Sequence, residues 1–589
     1  MTSIEGIKIE TPNQNKILLE ETFYVLTKKN CVFRVRLLKR GLSLVKENES
    51  HLKEQLIPIS DIIGCRCLRS KKPERSCSCQ SLPRSASLQV VEEYSVELDD
   101  SDASAYLYIY AYLLQKTKGT PTRRERTIIT LRFRSFDKFE DNHREAQRWR
   151  TAIKKLINGD HVSYSQIIDF SLSHKFKENK RLLVLCNPKS GAGRGKSIFQ
   201  QKIAPILQEA EIPYDLHITK YANFAREFVR TSNLYQWSGI IVVGGDGVVF
   251  EVINGLFERW DWSETVKAIP IGVVPGGSGN GLARSVAYHS GEPFIPSTLP
   301  SALAAIKCKV TPMDLVRVET KSQIMFSFLS VGWGFISDVD IESERLRILG
   351  GQRFNIWSVA RLIGLRSYKG KIWYLPANAP MNIPKDVELS PINLGSSPDI
   401  STSTEHHVTR QRLDSWFSAN SRRTAYFSAN GSTYQSTAEQ ETGDPSAIKE
   451  KPRMYGPASQ LPCLTVPLES PWVCVEGRYL MVHASYQSHL SEDCLFVPDA
   501  KLNDGLIWLL VIHAGTKRSQ LLQFLLGLST GAHLNFISKH SRIQLLPVKA
   551  FRIEPDPSEQ GYITVDGEQV EYGPIQAEIF PELGRIMVP

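Results

Sequence analysis

The spacing of apolar residues predicts a β-rich unit at the start of the chain that ends in an amphipathic helix. Short runs of β-prone residues predict strands at residues 22–26, 32–38, 105–113 and 127–133. Four apolar residues then recur at the spacing of one helix face: Ala146, Trp149, Ile153 and Leu156. We assign this first unit to residues 15–160.

Beyond residue 178 the pattern changes to an alternation of strands and helices. Strands are predicted at residues 182–185, 214–218, 239–243 and 269–274, with helices at 195–208 and 222–229. Such alternation is typical of an α/β domain with a parallel sheet, here residues 178–309. From 310 to 580, β-prone runs with few helices predict a second, mainly antiparallel domain.

One stretch of the second domain lacks this patterning. Residues 383–467 are rich in Ser, Thr, Pro, Asn and Gln, with few periodic apolar positions. Such composition cannot bury enough apolar surface to fold, so we predict a disordered insertion.

Composition narrows the range of partners. The 589 residues include 71 basic and 62 acidic side chains, for a formal net charge of +9. This excess suits nucleotides and anionic membranes but not nucleic acid, so no nucleic-acid partner is expected. The first thirty residues are polar, and no run of about 18 apolar residues follows, which predicts a cytoplasmic protein.

Two Cys-x-Cys pairs, Cys65 with Cys67 and Cys77 with Cys79, border or lie within a Ser- and Arg-rich stretch that is predicted to be a loop. Four thiolates would suit zinc, but paired ligands in structural zinc sites are usually separated by two to four residues. The single intervening residue favours free thiols.

The first strand of the α/β domain leads into a Gly- and Lys-rich turn at residues 187–196, followed by a helix. Glycines let backbone N–H groups approach an anion closely, and a helix N-terminus adds partial positive charge. The turn matches neither the P-loop nor the dinucleotide-binding pattern. It predicts a phosphate site, with a tight structural connection as the alternative.

A carboxylate lies among glycines where the third strand ends, at Gly244, Gly245, Asp246 and Gly247. Open α/β sheets bind ligands at the carboxyl ends of their strands, which favours a functional Asp246. The alternative is a cap for a helix that begins at about Val248. Another glycine-rich turn follows the fourth strand, so three such turns converge on one sheet edge.

Three segments at these turns resemble the catalytic core of the diacylglycerol-kinase-like lipid kinases: NPKSGAGRGK, VVGGDGVVFEVINGL and IGVVPGGSGNGLARS. WGFISDVDIESERLRILGGQRFNIW and the tail FRIEPDPSEQGYITVDGEQVEYGPIQAEIFP resemble sphingosine kinases specifically. The resemblance implies an α/β ATP-binding domain and a β-sandwich lipid domain that phosphorylate the primary hydroxyl of sphingosine or dihydrosphingosine, using ATP with Mg²⁺. The first unit resembles a pleckstrin-homology-like domain, although other small β-barrels fit almost as well.

The resemblance also implies roles for individual residues. Asp246 matches the general base that accepts the proton of the acceptor hydroxyl. Arg347 and Arg353 match arginines that contact ATP phosphates, and Glu568 matches an acidic residue near the nucleotide or its magnesium. The other matching ATP-binding positions are Asn187, Gly191, Gly193, Gly195, Thr219, Gly244, Gly245, Gly247 and Ser278. No residue matches a ligand of a resident metal.

Asp340 matches the residue that recognises the polar head of sphingosine, and Glu344 would lie beside it on a helix. Sphingosine carries an ammonium group, whereas ceramide and diacylglycerol are uncharged, so a buried carboxylate favours an amine-bearing lipid. The alternative is a solvated acidic helix start. Ile336, Phe354 and His533 match positions that line the acyl pocket, but His533 would serve equally as a core histidine.

The segment Arg353–Arg366 is basic and amphipathic. Such a face binds an anionic membrane surface or a calmodulin-type partner, or it packs on its own domain. Two rival functions remain: a kinase for ceramide or diacylglycerol, and a catalytically silent adaptor that binds membrane lipids. The complete catalytic set argues against the adaptor.

Overall fold

The computed structural model describes residues 16–24, 32–47, 54–68, 103–115, 121–160, 181–349, 352–379 and 453–589, without the side chains of residues 24, 347–349, 352 and 355. Cys77, Cys79 and most of the predicted insertion therefore lie outside the described residues.

The first unit consists of two antiparallel sheets and one helix. The four-stranded sheet contains β1 Ile17–Tyr24, β2 Val32–Leu38, β3 Gly41–Lys46 and β4 Glu54–Pro58. The three-stranded sheet contains β5 Ile62–Leu68, β6 Ala105–Gln115 and β7 Arg123–Phe133. Helix α1 (Phe139–Ile157) closes them, and its Ala146, Trp149 and Ile153 are buried in their shared core, as predicted.

Cys65 and Cys67 lie in strand β5 and not in the predicted loop. Burial raises the pKa of both thiols to about 12, so both remain protonated at neutral pH. Cys65 is part of the apolar core. Its thiol donates to the Arg150 carbonyl at 3.6 Å, which is the role of a core residue.

The α/β domain has the predicted parallel sheet, in the strand order β9-β8-β10-β11. Its strands are β8 Arg181–Cys186, β9 Tyr214–Ile218, β10 Trp237–Gly244 and β11 Ile271–Pro275. Its helices are α2 Gly195–Ile198, α3 Ala204–Glu209, α4 Phe224–Thr231, α5 Asp246–Phe257, α6 Trp262–Ala268, α7 Gly281–His289 and α8 Thr298–Lys307. The predicted helix 195–208 is interrupted by a π-helical turn at Phe199–Ile203.

The second domain is mainly antiparallel, as predicted. Its strands are β12 Lys309–Glu319, β13 Ile324–Ser327, β14 Ser330–Gly334, β15 Tyr368–Pro376, β16 Val473–Ser485, β17 His489–Ser491, β18 Cys494–Leu495, β19 Ile507–His513, β20 Ile543–Pro555, β21 Ile563–Val565, β22 Glu568–Val570 and β23 Ile575–Val588. Its helices are α9 Phe335–Glu342, α10 Gln352–Ile363, α11 Arg518–Gly527 and α12 His533–Ile537. Within the described ranges, no helix combines the length and apolarity needed to cross a bilayer.

Strand β23 belongs to the sheets of both domains. It pairs along most of its length with β12 and β20, and Ile586 then pairs in parallel with Ile271 of β11. The parallel and antiparallel sheets are therefore continuous, although the sequence predicts two separate domains.

The first unit packs against the α/β domain through one face of β6. Four tyrosines on this face join the apolar cluster beneath the parallel sheet: Tyr106, Tyr108, Tyr110 and Tyr112. The apolar residues that alternate with them face the first unit's own core: Ala105, Leu107, Ile109 and Ala111. Arg124 adds an ion pair to Glu292 at 2.6 Å. Because both faces of β6 are buried, the first unit is fixed to the α/β domain.

The described end of the predicted insertion, residues 453–467, is ordered, so the prediction of disorder is wrong there. Arg552 is 1% exposed and donates hydrogen bonds to the carbonyl oxygens of Pro462, Cys463 and Val466, at 3.1, 3.1 and 2.8 Å. These backbone acceptors satisfy a buried guanidinium, which composition alone does not reveal.

Candidate active site

The three glycine-rich turns meet at the carboxyl edge of the parallel sheet. The Gly276 N–H donates to the Gly244 carbonyl at 2.9 Å. A Cβ on Gly191 would lie 2.7 Å from the Gly276 oxygen, and one on Gly245 would lie 3.1 Å from the Cα of Gly277. The turns pack backbone against backbone, which requires residues without side chains. The predicted convergence is therefore present.

The first turn is held open by left-handed glycines. Gly191 and Gly193 have φ values of 57° and 76°, and both are exposed. The Asn187 carboxamide oxygen accepts a hydrogen bond from the Lys189 N–H at 2.9 Å, and Gly195 begins α2 against the Asn187 carbonyl. This geometry leaves an exposed loop with Lys189 beside it, which is suitable for an anion.

The Asp246 side chain is buried between two helix starts. Its carboxylate oxygens accept hydrogen bonds from the N–H groups of Gly281 at 2.9 Å and Leu282 at 3.3 Å. Burial raises the pKa of Asp246, and these backbone donors oppose the rise. Helix α5 begins at Asp246 itself, so the alternative of a cap for a helix beginning at Val248 is wrong. Asp246 caps α7 instead.

A hairpin of the second domain is attached to the third turn. This hairpin, β17–β18 (residues 489–495), places Ser491 in a β-bridge with Asn280. The Asn280 amide nitrogen donates to the Glu492 carboxylate at 2.7 Å, and the Glu492 N–H donates to the Gly279 carbonyl at 3.0 Å. No sequence pattern marks Glu492, because the hairpin has no glycine and no motif of its own.

The same hairpin reaches Asp340. Burial is the main cause that raises the pKa of the Cys494 thiol to about 12, and the nearby charge of Asp340 adds to that rise. Asp340 itself is half-buried on α9. The hairpin therefore links the third turn, whose Gly281 binds the Asp246 carboxylate, to the surroundings of Asp340.

Two charged side chains influence Asp340: Glu344, which the sequence places beside it, and Arg353, which the sequence assigns to the ATP phosphates. Burial raises the pKa of Asp340 to about 7, the positive charge of Arg353 opposes the rise, and the negative charge of Glu344 adds to it. Glu344 lies just beyond α9, in a 3₁₀ segment. Arg353 is buried over the Phe354 ring, 4.4 Å from its centroid. The structure thus brings Arg353 close to Asp340, and the side chain of Arg347 is outside the described residues.

The remaining predicted ATP-binding residues lie around the turns. The Thr219 N–H donates to the Cys186 carbonyl at 2.9 Å, which holds Thr219 at the end of β8. Ser278 is half-buried in the third turn. Glu568 begins β22, and a Cβ on Gly247 would lie 2.7 Å from its Oε1. Glu568 therefore lies beside the Asp246 turn, although it comes from the second domain.

Two further carboxylates that sequence reasoning missed support this region. Burial raises the pKa of Glu251 to about 7, the N–H groups of Asn223 and Ala225 oppose this, and the charge of Glu568 adds to it. Asp566 accepts hydrogen bonds from the Ser327 hydroxyl at 2.6 Å and the Ser330 N–H at 2.9 Å. Proximity to a predicted site residue could have indicated both carboxylates. Glu251 follows Asp246 by five residues, and Asp566 precedes Glu568 by two.

The predicted acyl-pocket residues share one apolar cluster beside Asp340. Ile336 and Phe354 pack against it, together with Phe496 and Phe524. His533 is buried, with its Nε2 2.8 Å from the Phe496 carbonyl and its Nδ1 3.4 Å from that of Gly527. His533 therefore matches the core-histidine alternative.

Two protein families match the chain. The diacylglycerol kinase catalytic domain matches residues 181–318, and the YegS C-terminal NAD kinase beta sandwich-like domain matches residues 475–588. These matches agree with the α/β domain and the β domain. A crystal structure of a diacylglycerol kinase from Bacillus anthracis str. Sterne is 15% identical, with a TM-score of 0.38, and covers 70% of this chain and 98% of its own.

Curated relatives extend over more of the sequence. Sphingosine kinase 2 from Homo sapiens is 31% identical over 92% of this chain and 86% of its own length. Sphingosine kinase 1 from Homo sapiens is 31% identical over 68% of this chain and 89% of its own. Sphingosine kinase 1 from Arabidopsis thaliana is 30% identical over 67% and 69%, respectively.

Proposed function

The chain belongs to the sphingosine kinase family, and from that premise we propose that it transfers the γ-phosphate of ATP to the primary hydroxyl of sphingosine or dihydrosphingosine. One observation carries the proposal: the hairpin at residues 489–495 pairs with the third turn, whose Gly281 binds the Asp246 carboxylate, and its Cys494 lies near Asp340. A lipid lying along this hairpin would have its amine at one carboxylate and its hydroxyl at the other.

Asp246 acts as the general base. The acceptor hydroxyl must lose its proton as the phosphoryl group arrives, and a carboxylate within hydrogen-bond reach accepts it. The backbone donors at Gly281 and Leu282 fix the orientation of this carboxylate, while burial increases its basicity.

ATP binds across the three glycine turns, with its phosphates near Lys189 and the exposed glycines. When bound with ATP, Mg²⁺ would supply positive charge that offsets the charge of the phosphates. Mg²⁺ prefers oxygen ligands, commonly one or two carboxylates plus phosphate oxygens, and Glu568 beside Gly247 fits that requirement. Arg347 and Arg353 are proposed to contact the phosphates, with Arg353 shared between phosphate and Asp340.

Asp340 supplies the preference for an amine-bearing lipid. When an ammonium group binds, its ion pair with the Asp340 carboxylate compensates for the hydration that the carboxylate loses. A neutral head group would displace that hydration without forming an ion pair. Glu344 increases the local negative charge. Ceramide and diacylglycerol are therefore the disfavoured rivals.

The protein is cytoplasmic and binds peripherally to an anionic membrane surface, from which it takes the lipid. Helices α10 and α11 are neighbours and expose Ile356, Val359, Ile363 and Leu526, with Leu526 70% and Ile363 74% exposed. Basic side chains flank them, which suits anionic headgroups: Arg366, Lys517 and Arg518. A calmodulin-type partner at Arg353–Arg366 is less favoured, because Arg353 and Arg361 are buried.

The first unit is proposed to be pleckstrin-homology-like, on the basis of its two antiparallel sheets closed by α1. The domain division at residues 15–160, 178–309 and 310–580 stays a prediction. The tyrosine face of β6 implies that this unit serves as a fixed part of the kinase and not as a tethered module.

The test is an assay of purified protein with labelled ATP and sphingosine, dihydrosphingosine, ceramide or diacylglycerol. Phosphorylation of the two amine-bearing lipids, selectively lost in Asp340→Ala, is the expected result. Equal use of the neutral lipids would support the rival kinase, and no transfer to any lipid would support the silent adaptor.

A further inference from the structure

Asn280 organises the third glycine turn from within. Its Oδ1 accepts a hydrogen bond from the Gly277 N–H at 2.9 Å, and its Nδ2 donates to the Gly277 carbonyl at 3.0 Å. Asn280 has a φ of 61°, in the left-handed region that asparagine tolerates better than most residues. The next residue, Gly281, supplies the N–H that binds the Asp246 carboxylate. The backbone conformation at Asn280 therefore determines where this donor points.

Glu492 holds Asn280 from outside the turn. Its Oε1 accepts a hydrogen bond from Asn280 Nδ2 at 2.7 Å, and its own N–H donates to the Gly279 carbonyl at 3.0 Å. Asn280 is 4% exposed and Glu492 is half-buried, so water competes weakly for this bond to a carboxylate. Glu492 belongs to the hairpin β17–β18 and thereby joins the second domain to the residue that sets the third turn.

The hairpin is packed tightly against the same turn. A Cβ on Gly281 would lie 2.7 Å from the Leu490 carbonyl oxygen. In helix α7, the Ser285 hydroxyl accepts a hydrogen bond from the His489 N–H at 3.1 Å. The hairpin, the third turn and the start of α7 therefore form one packed unit, in which a movement of the hairpin would displace the donor at Gly281.

We propose that Glu492 is a positioning residue that acts through Asn280 on the catalytic base. By holding Asn280 it fixes the Gly281 N–H, which in turn orients the Asp246 carboxylate. A carboxylate that is free to rotate is less often within reach of the acceptor hydroxyl, so loss of the Glu492 contact reduces kcat. Glu492 touches neither reactant in this role, so the affinity for the lipid is retained. This inference rests on the proposed kinase activity and adds to it a residue of the second domain.

The test measures kcat and KM for sphingosine in the full-length enzyme. Glu492→Ala should lower kcat roughly tenfold, the value of one hydrogen bond to a charged group, and leave KM within about twofold of the unmodified protein. Glu492→Gln keeps an oxygen that can accept from Asn280 and should recover most of the activity. Asp493→Ala is the matched control, because Asp493 is the exposed neighbouring carboxylate of the same hairpin, and it should leave kcat unchanged.

Two double variants test the route by which Glu492 acts. In Asp246→Asn the base is already absent, so adding Glu492→Ala should lower kcat no further. Asn280→Gly keeps a residue that tolerates the left-handed backbone but removes the amide, so it should itself lower kcat and make Glu492→Ala without effect. A tenfold loss that persists in either background would overturn the proposal, because Glu492 would then act without the base or without Asn280.

Calorimetric titration with ATP gives the concentration of folded enzyme in each variant, so that kcat refers to folded protein alone. If Glu492→Ala does not fold, the comparison of Asn280→Gly with Asp493→Ala measures the same contact from its other side. Equal kcat values in Glu492→Ala and Asp493→Ala would refute the role of Glu492 and leave the kinase activity standing. Absence of transfer to sphingosine by the unmodified protein would refute the proposed function itself.

Discussion

The Gly281 N–H donates to the Asp246 carboxylate at 2.9 Å, so the start of one helix positions the side chain that begins another. This bond joins the second and third glycine turns. The orientation of the carboxylate is thereby set before any ligand binds, which reduces the reorganisation needed during the reaction.

Replacing Asp246 with Asn should reduce kcat by roughly 10²–10⁴-fold, because the amide cannot accept the proton of the hydroxyl. ATP affinity should change little, as measured by calorimetry. Glu476→Gln is the control, since Glu476 is a surface carboxylate that pairs with Lys371. Unchanged turnover in Asp246→Asn would refute the assignment of the base.

The activity toward sphingosine should depend on the ionisation of Asp340. Its pKa is raised to about 7, and only the ionised form pairs with an ammonium group, so kcat/KM should fall as pH decreases through about 7. At pH 6 the loss should be roughly tenfold from the plateau, because about one carboxylate in ten is then ionised.

Arg353→Gln should shift the fall in kcat/KM to higher pH. The positive charge of Arg353 lowers the pKa of Asp340, so its removal should raise that pKa further. The measurement is the pH profile of kcat/KM for sphingosine at saturating ATP. A profile with the same midpoint in both proteins would show that Arg353 does not act on Asp340.

Asp566→Asn should lower the free energy of unfolding by about 1–3 kcal/mol, since the amide group cannot accept all the hydrogen bonds that the carboxylate receives. Those donors include the Ser327 hydroxyl and the N–H groups of Phe328, Leu329 and Ser330. Urea denaturation gives the value. Asp141→Asn, at an exposed ion pair with Arg144, should change it by less than about 0.5 kcal/mol.

Val359→Asp and Ile363→Asp should weaken binding to vesicles that contain anionic lipid, because each places a charge on the exposed apolar face. Activity on sphingosine in detergent micelles should be retained. Ile295→Asp alters an equally exposed aliphatic residue, 65% exposed, elsewhere on the surface. Loss of vesicle binding in Ile295→Asp alone would place the membrane-binding surface around Ile295 instead.

The sequence predicts the site best where backbone geometry requires a particular residue. The positive φ of Gly191 and the close packing of Gly245 leave a readable glycine signature, so the convergence of the glycine turns was correctly predicted. Asp246 lay within that signature. The helix that it caps was missed, because Gly281 is separated from it in sequence and meets it only in the folded sheet.

Long-range pairing explains the other misses. Glu492 and Asp566 act through partners more than 200 residues away, and no local pattern marks such contacts. The order in residues 453–467 depends on hydrogen bonds to the buried Arg552 side chain. Amino-acid composition cannot reveal that this side chain is buried. The alternation of tyrosines with apolar residues in β6 is visible in the sequence, but the surface of the α/β domain on which the tyrosines pack is not.

The position of β23 has a consequence for synthesis on the ribosome. Ile586 pairs with Ile271, so the strand that covers one edge of the nucleotide-binding sheet is translated more than half the chain length later. Until then, β11 has an exposed edge that is open to wrong pairing. Binding by a chaperone during this interval would therefore be expected to increase the yield of active enzyme.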